Sequence, residues 1–252
     1  MISRYGVFLN NIALNDIHGN LYVADIQYPG AAINNTKTVF AKRQGALLSR
    51  RYKERETVVI LFLLEIYNTA ERQYAVQDVQ DWAKNGGVLE TSDRPNQILR
   101  VICESYPSIL SALKWKDTLS ITFSAYSLPY WQDKSATTVS VTNNTETARV
   151  PGNVAECGAP VDVTATLTAS ASSLVLGVGS KEITLSGLNF DSGDVVRVYH
   201  DDNMFLHITR NGSSILDKRS GADDLAAVCG ENNTFKVAGP ATAEFSVRGL
   251  WH

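Results

Sequence analysis

The stretch Val161-Asp162-Val163-Thr164-Ala165-Thr166-Leu167 decides the fold class of the second half of the chain. Its apolar residues occupy every second position, which is the period of a β-strand with one buried and one solvated face. The same alternation recurs about every ten residues, at Val139/Val141, Ile183/Leu185, Val196/Val198, Leu206/Ile208 and Phe245/Val247. Turn sequences separate these runs, at Ser186-Gly187, Asp191-Ser192-Gly193, Asn211-Gly212 and Gly239-Pro240. Short strands at this spacing predict an antiparallel β-sandwich of two sheets.

The first half contains one amphipathic helix. Apolar residues recur with the 3.6-residue helical period at Ala75, Val76, Val79, Trp82 and Ala83. A helix start is indicated by Asn68 with Glu71 three residues later, and a helix end by the run 85–87, Asn-Gly-Gly. These signals predict a helix over residues 69–84.

Two long strands are predicted beside this helix. Residues 118–126 alternate between apolar and polar side chains, which indicates a half-buried strand. Residues 58–66 are dense in Val, Ile, Leu and Phe without a strict alternation, which indicates a strand covered on both faces. We expect the helix to cover one of these faces and the Trp82 indole to be largely buried against the strand.

The net charge and the sequence pattern of the chain change near residue 134. Residues 1–134 carry 15 Lys and Arg against 13 Asp and Glu, whereas residues 135–252 carry 8 against 13, giving net charges of +2 and −5. The hydrophilic run Gln132–Ser135 has the composition of a linker. The sequence therefore predicts two domains, a β domain with one helix over 1–134 and the sandwich over 135–252.

Composition excludes several classes of protein. A net charge of −3 lacks the positive field that binds phosphate backbones, so we expect no specific nucleic-acid binding. The longest apolar run, Val58–Leu64, is far shorter than the about 20 residues of a membrane-spanning helix, so no membrane span is predicted.

The run Met1–Asn11 lacks the apolar stretch of a secretory signal, so we expect folding in the cytoplasm. Three cysteines without a CxxC spacing encode neither a disulfide framework nor a zinc ribbon.

No catalytic motif and no cofactor-binding motif is recognisable. The chain contains no G-x-S-x-G, and the run Gly177–Lys181 lacks the spacing of a phosphate-binding loop and is predicted as a turn. His200 and His207 are the candidate metal ligands, because residues 201–203 could form a hairpin tip that brings the two imidazoles together. The alternative for these two histidines is a solvated polar turn.

Two further polar groups have more than one interpretation. A group of carboxylates lies beside glycines, as turn residues often do, and could also form a calcium-dependent sugar site: Asp191, Asp194, Asp223 and Asp224. The segment Lys37–Arg55 holds seven basic residues and only Glu54 as an acidic one. This segment is either a phosphate-binding patch or a solvent-exposed face. Apolar residues interrupt the basic ones as they do in a β-hairpin, which favours the solvent-exposed face.

The order of the elements in the first half resembles the distal tail protein (Dit) family of siphophages. The resemblance rests on the opening strand Tyr5–Leu9, the strand ending in Val58–Phe62, the helix with Trp82, and two motifs. The first motif is the run 87–95, Gly-Val-Leu-Glu-Thr-Ser-Asp-Arg-Pro, followed by a strand over 97–104. The second is the run 115–123, Trp-Lys-Asp-Thr-Leu-Ser-Ile-Thr-Phe, leading to Pro129-Tyr130-Trp131. Where the family often has aromatic residues after the proline, this chain has Ile98 and Leu99.

The resemblance implies a mainly β fold: an N-terminal split-barrel-like domain with one helix, followed by a galectin-like sandwich that closes with a strand over Phe245–Trp251. It also implies a structural protein of the virion, located at the distal tail tip or baseplate and assembled in the host cytoplasm. The implied assembly is a homo-hexamer that joins the tail tube protein to tip, fibre or receptor-binding proteins. The family has no catalytic residues and no cofactor to carry over.

Two other functions stay open at the level of sequence. The sandwich could be a lectin that contacts a host cell-wall polysaccharide, although the second half offers only Tyr199 and Trp251 as aromatic platforms other than Phe. A glycosidase with two suitably spaced carboxylates is the second alternative, because linear sequence does not reveal such a spacing.

Overall fold

The computed structural model describes residues 5–29, 33–39, 46–53, 56–107, 118–155 and 157–252, with backbone alone for 33–39 and 46–53. The chain divides into two compact units, Met1–Tyr130 and Trp131–His252. The fold is mainly β, with antiparallel sheets and one long helix. The sequence-based expectation of a mainly β protein is confirmed.

One antiparallel sheet organises the first unit. Its strands follow the order β2-β1-β7-β8-β9-β6-β3, and their bounds are Val7–Leu9 (β1), Ile12–Ala13 (β2), Leu21–Gln27 (β3), Thr57–Leu64 (β6), Gly87–Thr91 (β7), Gln97–Ser105 (β8) and Thr118–Ala125 (β9). The hairpin of Ile33–Val39 (β4) and Ala46–Lys53 (β5) forms a separate ribbon. The helices among the described residues of this unit are Leu14–Ile17 (α1) and Thr69–Ala83 (α2).

Helix α2 begins and ends where the sequence signals predict. The Asn68 side chain accepts hydrogen bonds from the backbone amides of Ala70 and Glu71, at 2.9 and 3.3 Å, which satisfies two amides that the helix leaves without partners. The helix ends at Ala83, and Gly86 adopts a positive φ of 60° while its amide bonds the Ala83 carbonyl. The prediction of a helix over 69–84 is confirmed to within one residue.

The burial of strand β6 differs from expectation. Alternate residues of β6 are completely buried, at Val58, Ile60, Phe62 and Leu64, but those between them are only half-buried. The prediction of a strand fully covered on both faces is therefore wrong.

Trp82 is less completely buried than Val79 and Ala83 beside it on α2. Trp82 is half-buried at the margin of the buried side of α2, and its ring meets Phe123 of β9 edge-on with centroids 6.1 Å apart. Its indole N–H donates to the Ile12 carbonyl at 3.1 Å. Arg72 of α2 contacts β6, because its buried guanidinium donates to the Leu64 carbonyl at 2.5 Å.

Two sheets form the second unit. The first has the order β11-β22-β13-β16-β17-β18, with β20 paired to β13; the bounds are Thr137–Thr142 (β11), Ala159–Leu167 (β13), Val195–His200 (β16), Leu206–Arg210 (β17), Ser213–Ser214 (β18), Ala226–Ala227 (β20) and Ala241–Val247 (β22). The second has the order β12-β21-β14-β15-β19, with bounds Thr145–Arg149 (β12), Ala171–Val178 (β14), Lys181–Phe190 (β15), Arg219–Gly221 (β19) and Asn232–Ala238 (β21). A 3₁₀ turn spans Leu216–Lys218.

The two sheets pack face to face through their alternating apolar residues. Phe235 of β21 and Phe245 of β22 are both completely buried, and their ring centroids lie 5.3 Å apart. Each run of alternation identified in the sequence lies in a strand, so the predicted sandwich is confirmed. The run Gly177–Lys181 is the predicted turn, between β14 and β15, and Gly179 takes a positive φ of 59° there.

The predicted linker is largely structured. Residues Trp131–Asp133 form strand β10, which pairs with Leu250–Trp251 (β23). The Asp133 carboxylate accepts the indole N–H of Trp251 at 2.8 Å, and Arg248 donates to the carbonyls of Asp133, at 2.7 Å, and Lys134. The closing run of the chain is consequently two strands, because it breaks at Arg248 and Gly249 between β22 and β23.

Substitution of Trp82 tests the helix packing. Trp82→Ala removes the edge-to-face contact with Phe123 and the donor to the Ile12 carbonyl, so we expect a loss of about 2 kcal/mol in the free energy of unfolding. Asp78→Ala, on an exposed position of the same helix, is expected to change it by no more than about 0.5 kcal/mol. Chemical denaturation of the two variants measures both values, and equal stability would contradict the packing described.

Proteolysis tests the β10–β23 closure. Because Lys134 lies beside a paired strand, we expect trypsin to cut the Lys134–Ser135 bond slowly in the native protein. Trp251→Ala removes the indole from Asp133 and should speed this cut about tenfold, which corresponds to about 1.4 kcal/mol of local opening free energy. Phe205→Ala, at an exposed side chain elsewhere in the second unit, is the control. Rapid release of a fragment starting at Ser135 from the native protein would support a free linker instead.

Candidate functional site

The two candidate metal ligands lie on one hairpin but do not meet. In the β16–β17 register Tyr199 pairs with His207 and His200 pairs with Leu206. Strand alternation therefore directs the two imidazoles to opposite faces. Each contacts its own carboxylate, His200 with Asp162 at 3.1 Å and His207 with Asp201 at 3.3 Å. Within the described ranges, no three His, Cys, Asp or Glu side chains are grouped to hold a metal ion.

Asp201 orders the loop at the tip of this hairpin. One of its carboxylate oxygens accepts the backbone amides of Asn203 and Phe205, each at 2.9 Å, and its backbone amide donates to the Phe205 carbonyl. The hydrogen bond from the Phe205 amide is the main reason that the pKa of Asp201 is lowered. The Phe205 side chain is 67% exposed on this ordered loop, and the Tyr199 ring stacks on His207 nearby.

The carboxylates beside glycines serve the backbone and nearby cations. The buried Asp194 carboxylate accepts the Asp191 amide at 2.8 Å and the Asn211 side-chain amide at 2.7 Å, and it pairs with Arg210 at 2.5 Å. These hydrogen bonds, the one from Asp191 first, lower the pKa of Asp194. Asp223 contacts Arg219, and Asp224 contacts Lys181. Of the two interpretations left open by the sequence, this geometry favours turn residues over a calcium site.

A polar depression lies on the solvent face of the sheet that contains β11, β22 and β13. Its volume is about 350 Å³, and its lining is Ser140, Thr164, Thr166, Thr242, Ala243 and Glu244. Hydroxyl groups of this kind are usual on the solvated face of an antiparallel sheet. The depression therefore supplies hydrogen-bonding groups and one carboxylate, without an aromatic side chain in its lining on which a sugar ring could stack.

The motif that carries the family resemblance has a structural role in the first unit. The hydroxyl of Tyr28 lies 2.9 and 2.8 Å from the two carboxylate oxygens of Asp93 and 3.1 Å from the Thr91 hydroxyl. Arg94 lies over the Tyr28 ring, with its guanidinium carbon 5.0 Å from the centroid. Burial, followed by the effect of Asp93, raises the pKa of Tyr28. Ser92 completes the cluster through two hydrogen bonds with the Gly6 backbone.

Sequence reasoning singled out the motif but not Tyr28, which lies 65 residues from Asp93. Nothing in the local pattern identifies this partner. The basic side chains of Lys37–Arg55 and the run 115–117 of the second motif lie outside the residues whose side chains are described. Among the helices in the described ranges, none has the length and apolar character needed to span a membrane.

Comparisons with known proteins give a match at the level of structure. No protein-family model matches the chain, and no curated protein matches it. Two structures of the phage P2 baseplate in its activated conformation, with Ca and with Sr, each align over 97% of both chains at 8% identity, with TM-scores of 0.49 and 0.43. The crystal structure of the SPP1 Dit (gp 19.1) protein, described as a paradigm of the hub adsorption apparatus in phages that infect Gram-positive bacteria, aligns with a TM-score of 0.74 at 13% identity. Since that alignment covers 97% of this chain and 98% of the SPP1 protein, the chain has the fold of SPP1 Dit over nearly its whole length.

Proposed function

We propose that this chain is a structural hub protein at the distal end of a phage tail, where it joins the tail tube to the tail-tip components. The observation that carries the proposal is the likeness of fold to the SPP1 Dit protein, which includes both units of the chain. The order of elements in the first unit supports it, because the sequence motifs of the resemblance fall on β7, the turn after it and β9 of the same sheet.

The proposed assembly is a homo-hexameric ring built by the first unit. A closed ring needs two different surfaces on each copy, one of which meets the other surface of the next copy. The first unit has exposed large apolar and aromatic side chains suited to such contacts: Phe8, Ile12, Tyr67, Tyr74, Ile102 and Tyr106. The tail tube protein and a tip or fibre protein are the expected partners of the ring.

The second unit is proposed as a galectin-like outer domain that faces tip or receptor-binding proteins. Its ordered loop with the exposed Phe205 offers a rigid apolar anchor for a protein partner, since little conformational entropy is lost when an ordered loop binds. The proposed location is the distal tail tip or baseplate of the virion, after assembly in the host cytoplasm. The proposed role is not enzymatic: the titratable groups described above hold loops and turns in place.

The mass of the purified protein in solution tests the ring. Six copies of a 27.6 kDa chain weigh about 166 kDa. We expect light scattering over a range of concentrations to approach this mass, and electron micrographs to contain six-fold rings. Phe205→Ser, in the second unit, should leave the mass unchanged. A wild-type chain that stays monomeric at every concentration would contradict the hexamer.

A further inference from the structure

One side of α2 carries an exposed stripe of tyrosines and acids. Four of its members lie in the helix at spacings of three, four and three residues, Glu71, Tyr74, Asp78 and Asp81, and the fifth, Tyr67, lies just before the N-cap residue Asn68. At about 100° per residue this spacing confines the four helical members to roughly 80° of the helix surface. All five are exposed, Tyr67 to 83% and Tyr74 to 67%. We call these five residues the tyrosine–acid stripe.

The other surfaces of α2 have different chemistry. The buried side consists of Arg72, Ala75, Val76, Val79 and Ala83, and a third side carries the glutamines Gln73, Gln77 and Gln80. All three acidic residues of the helix therefore lie on the stripe. Their local contacts are exposed ones, Asp81 with Lys84 at 2.9 Å and Glu71 with His18 at 3.8 Å, and such pairs contribute little stability.

Exposed tyrosines beside carboxylates suit a basic partner. An arginine or lysine side chain gains from a carboxylate and from the face of an aromatic ring at the same time. Tyrosine is also one of the residue types that contribute most to binding at protein interfaces. The stripe therefore has the chemistry to receive a segment rich in arginine and lysine.

The segment Lys37–Arg55 of this same chain supplies that chemistry, with seven basic residues and one acidic residue. We propose that the tyrosine–acid stripe docks the segment Lys37–Arg55 of a second copy. This inference rests on the proposed function, because a ring needs two complementary surfaces on each copy. The stripe and the basic segment form such a pair, opposite in charge.

Charge reversal on the stripe tests the inference. In Asp78→Lys/Asp81→Lys the stripe repels the basic segment, so we expect the apparent dissociation constant for assembly to rise at least tenfold. The substitutions are exposed and lie in the second half of the helix, where basic residues suit the helix dipole, so the fold should be retained. Circular dichroism melts check this, and the milder Asp78→Asn/Asp81→Asn should weaken assembly in the same direction. Gln73→Lys/Gln77→Lys, on the glutamine side, is the control and should assemble normally.

Complementation between two variants identifies the partner segment. Arg50→Glu/Arg51→Glu/Lys53→Glu/Arg55→Glu changes the net charge of the segment from +6 to −2, and this variant should also fail to assemble alone because its stripe is acidic too. An equimolar mixture with Asp78→Lys/Asp81→Lys should assemble, since an alternating ring then pairs opposite charges at every contact. A mixture that stays monomeric overturns the inference. The same outcome is expected if the segment docks on the stripe of its own chain.

The outcomes separate this inference from the proposed ring. A wild-type hexamer with a stripe-reversed variant that assembles equally well overturns the docking surface and leaves the proposed function standing. A wild-type chain that is monomeric at every concentration overturns the ring and the inference together. Two results support the inference. Wild-type assembly weakens as the salt concentration rises, and mixing the two charge-reversed variants restores assembly.

Discussion

Burial of one face of each antiparallel strand is the constraint on which the rest of this structure depends. In β6 the residues Val58, Ile60, Phe62 and Leu64 have no exposed surface, and in the second unit Phe235 and Phe245 bring two sheets together in the same way. A buried side chain of this size contributes about 1.5–3 kcal/mol, so a shift of register by one residue would expose a whole column of them. The register of the paired strands therefore follows from keeping these faces inside.

Polar residues in this protein mostly hold the backbone in place. Asp194 and Asp201 each accept two or more hydrogen bonds from groups that fix a turn or a loop, and Asp93 accepts a hydrogen bond from the hydroxyl of Tyr28, just after β3. Hydrogen bonds to charged groups are stronger than those between neutral groups. The motif on which the sequence resemblance rests is thus explained by stability of the first unit rather than by chemistry on a substrate.

The proposed hub function would depend on binding surfaces, which short sequence motifs do not identify. The tyrosine–acid stripe of α2 consists of ordinary residues whose meaning lies in their spacing and exposure. The ordered loop that presents Phe205 likewise depends on hydrogen bonds to Asp201 that a sequence does not reveal. A protein with this proposed function is expected to have a strand pattern that predicts its fold class and no recognisable catalytic motif.

The sequence by itself determined what depends on neighbours a few residues apart. The alternation in Val161–Leu167, the cap at Asn68 and the turn at Gly179 are local signals, and each predicted its element correctly. Tertiary structure alone decided which strands pair and what each side chain meets. It directed His200 and His207 to opposite faces and paired the linker strand β10 with β23, more than a hundred residues away. It also placed the Trp82 ring edge-on to Phe123 and brought Tyr28 to Asp93. The physical reason is that strand period and capping are set by local backbone geometry, whereas register and partner choice depend on the packing of distant segments against one another.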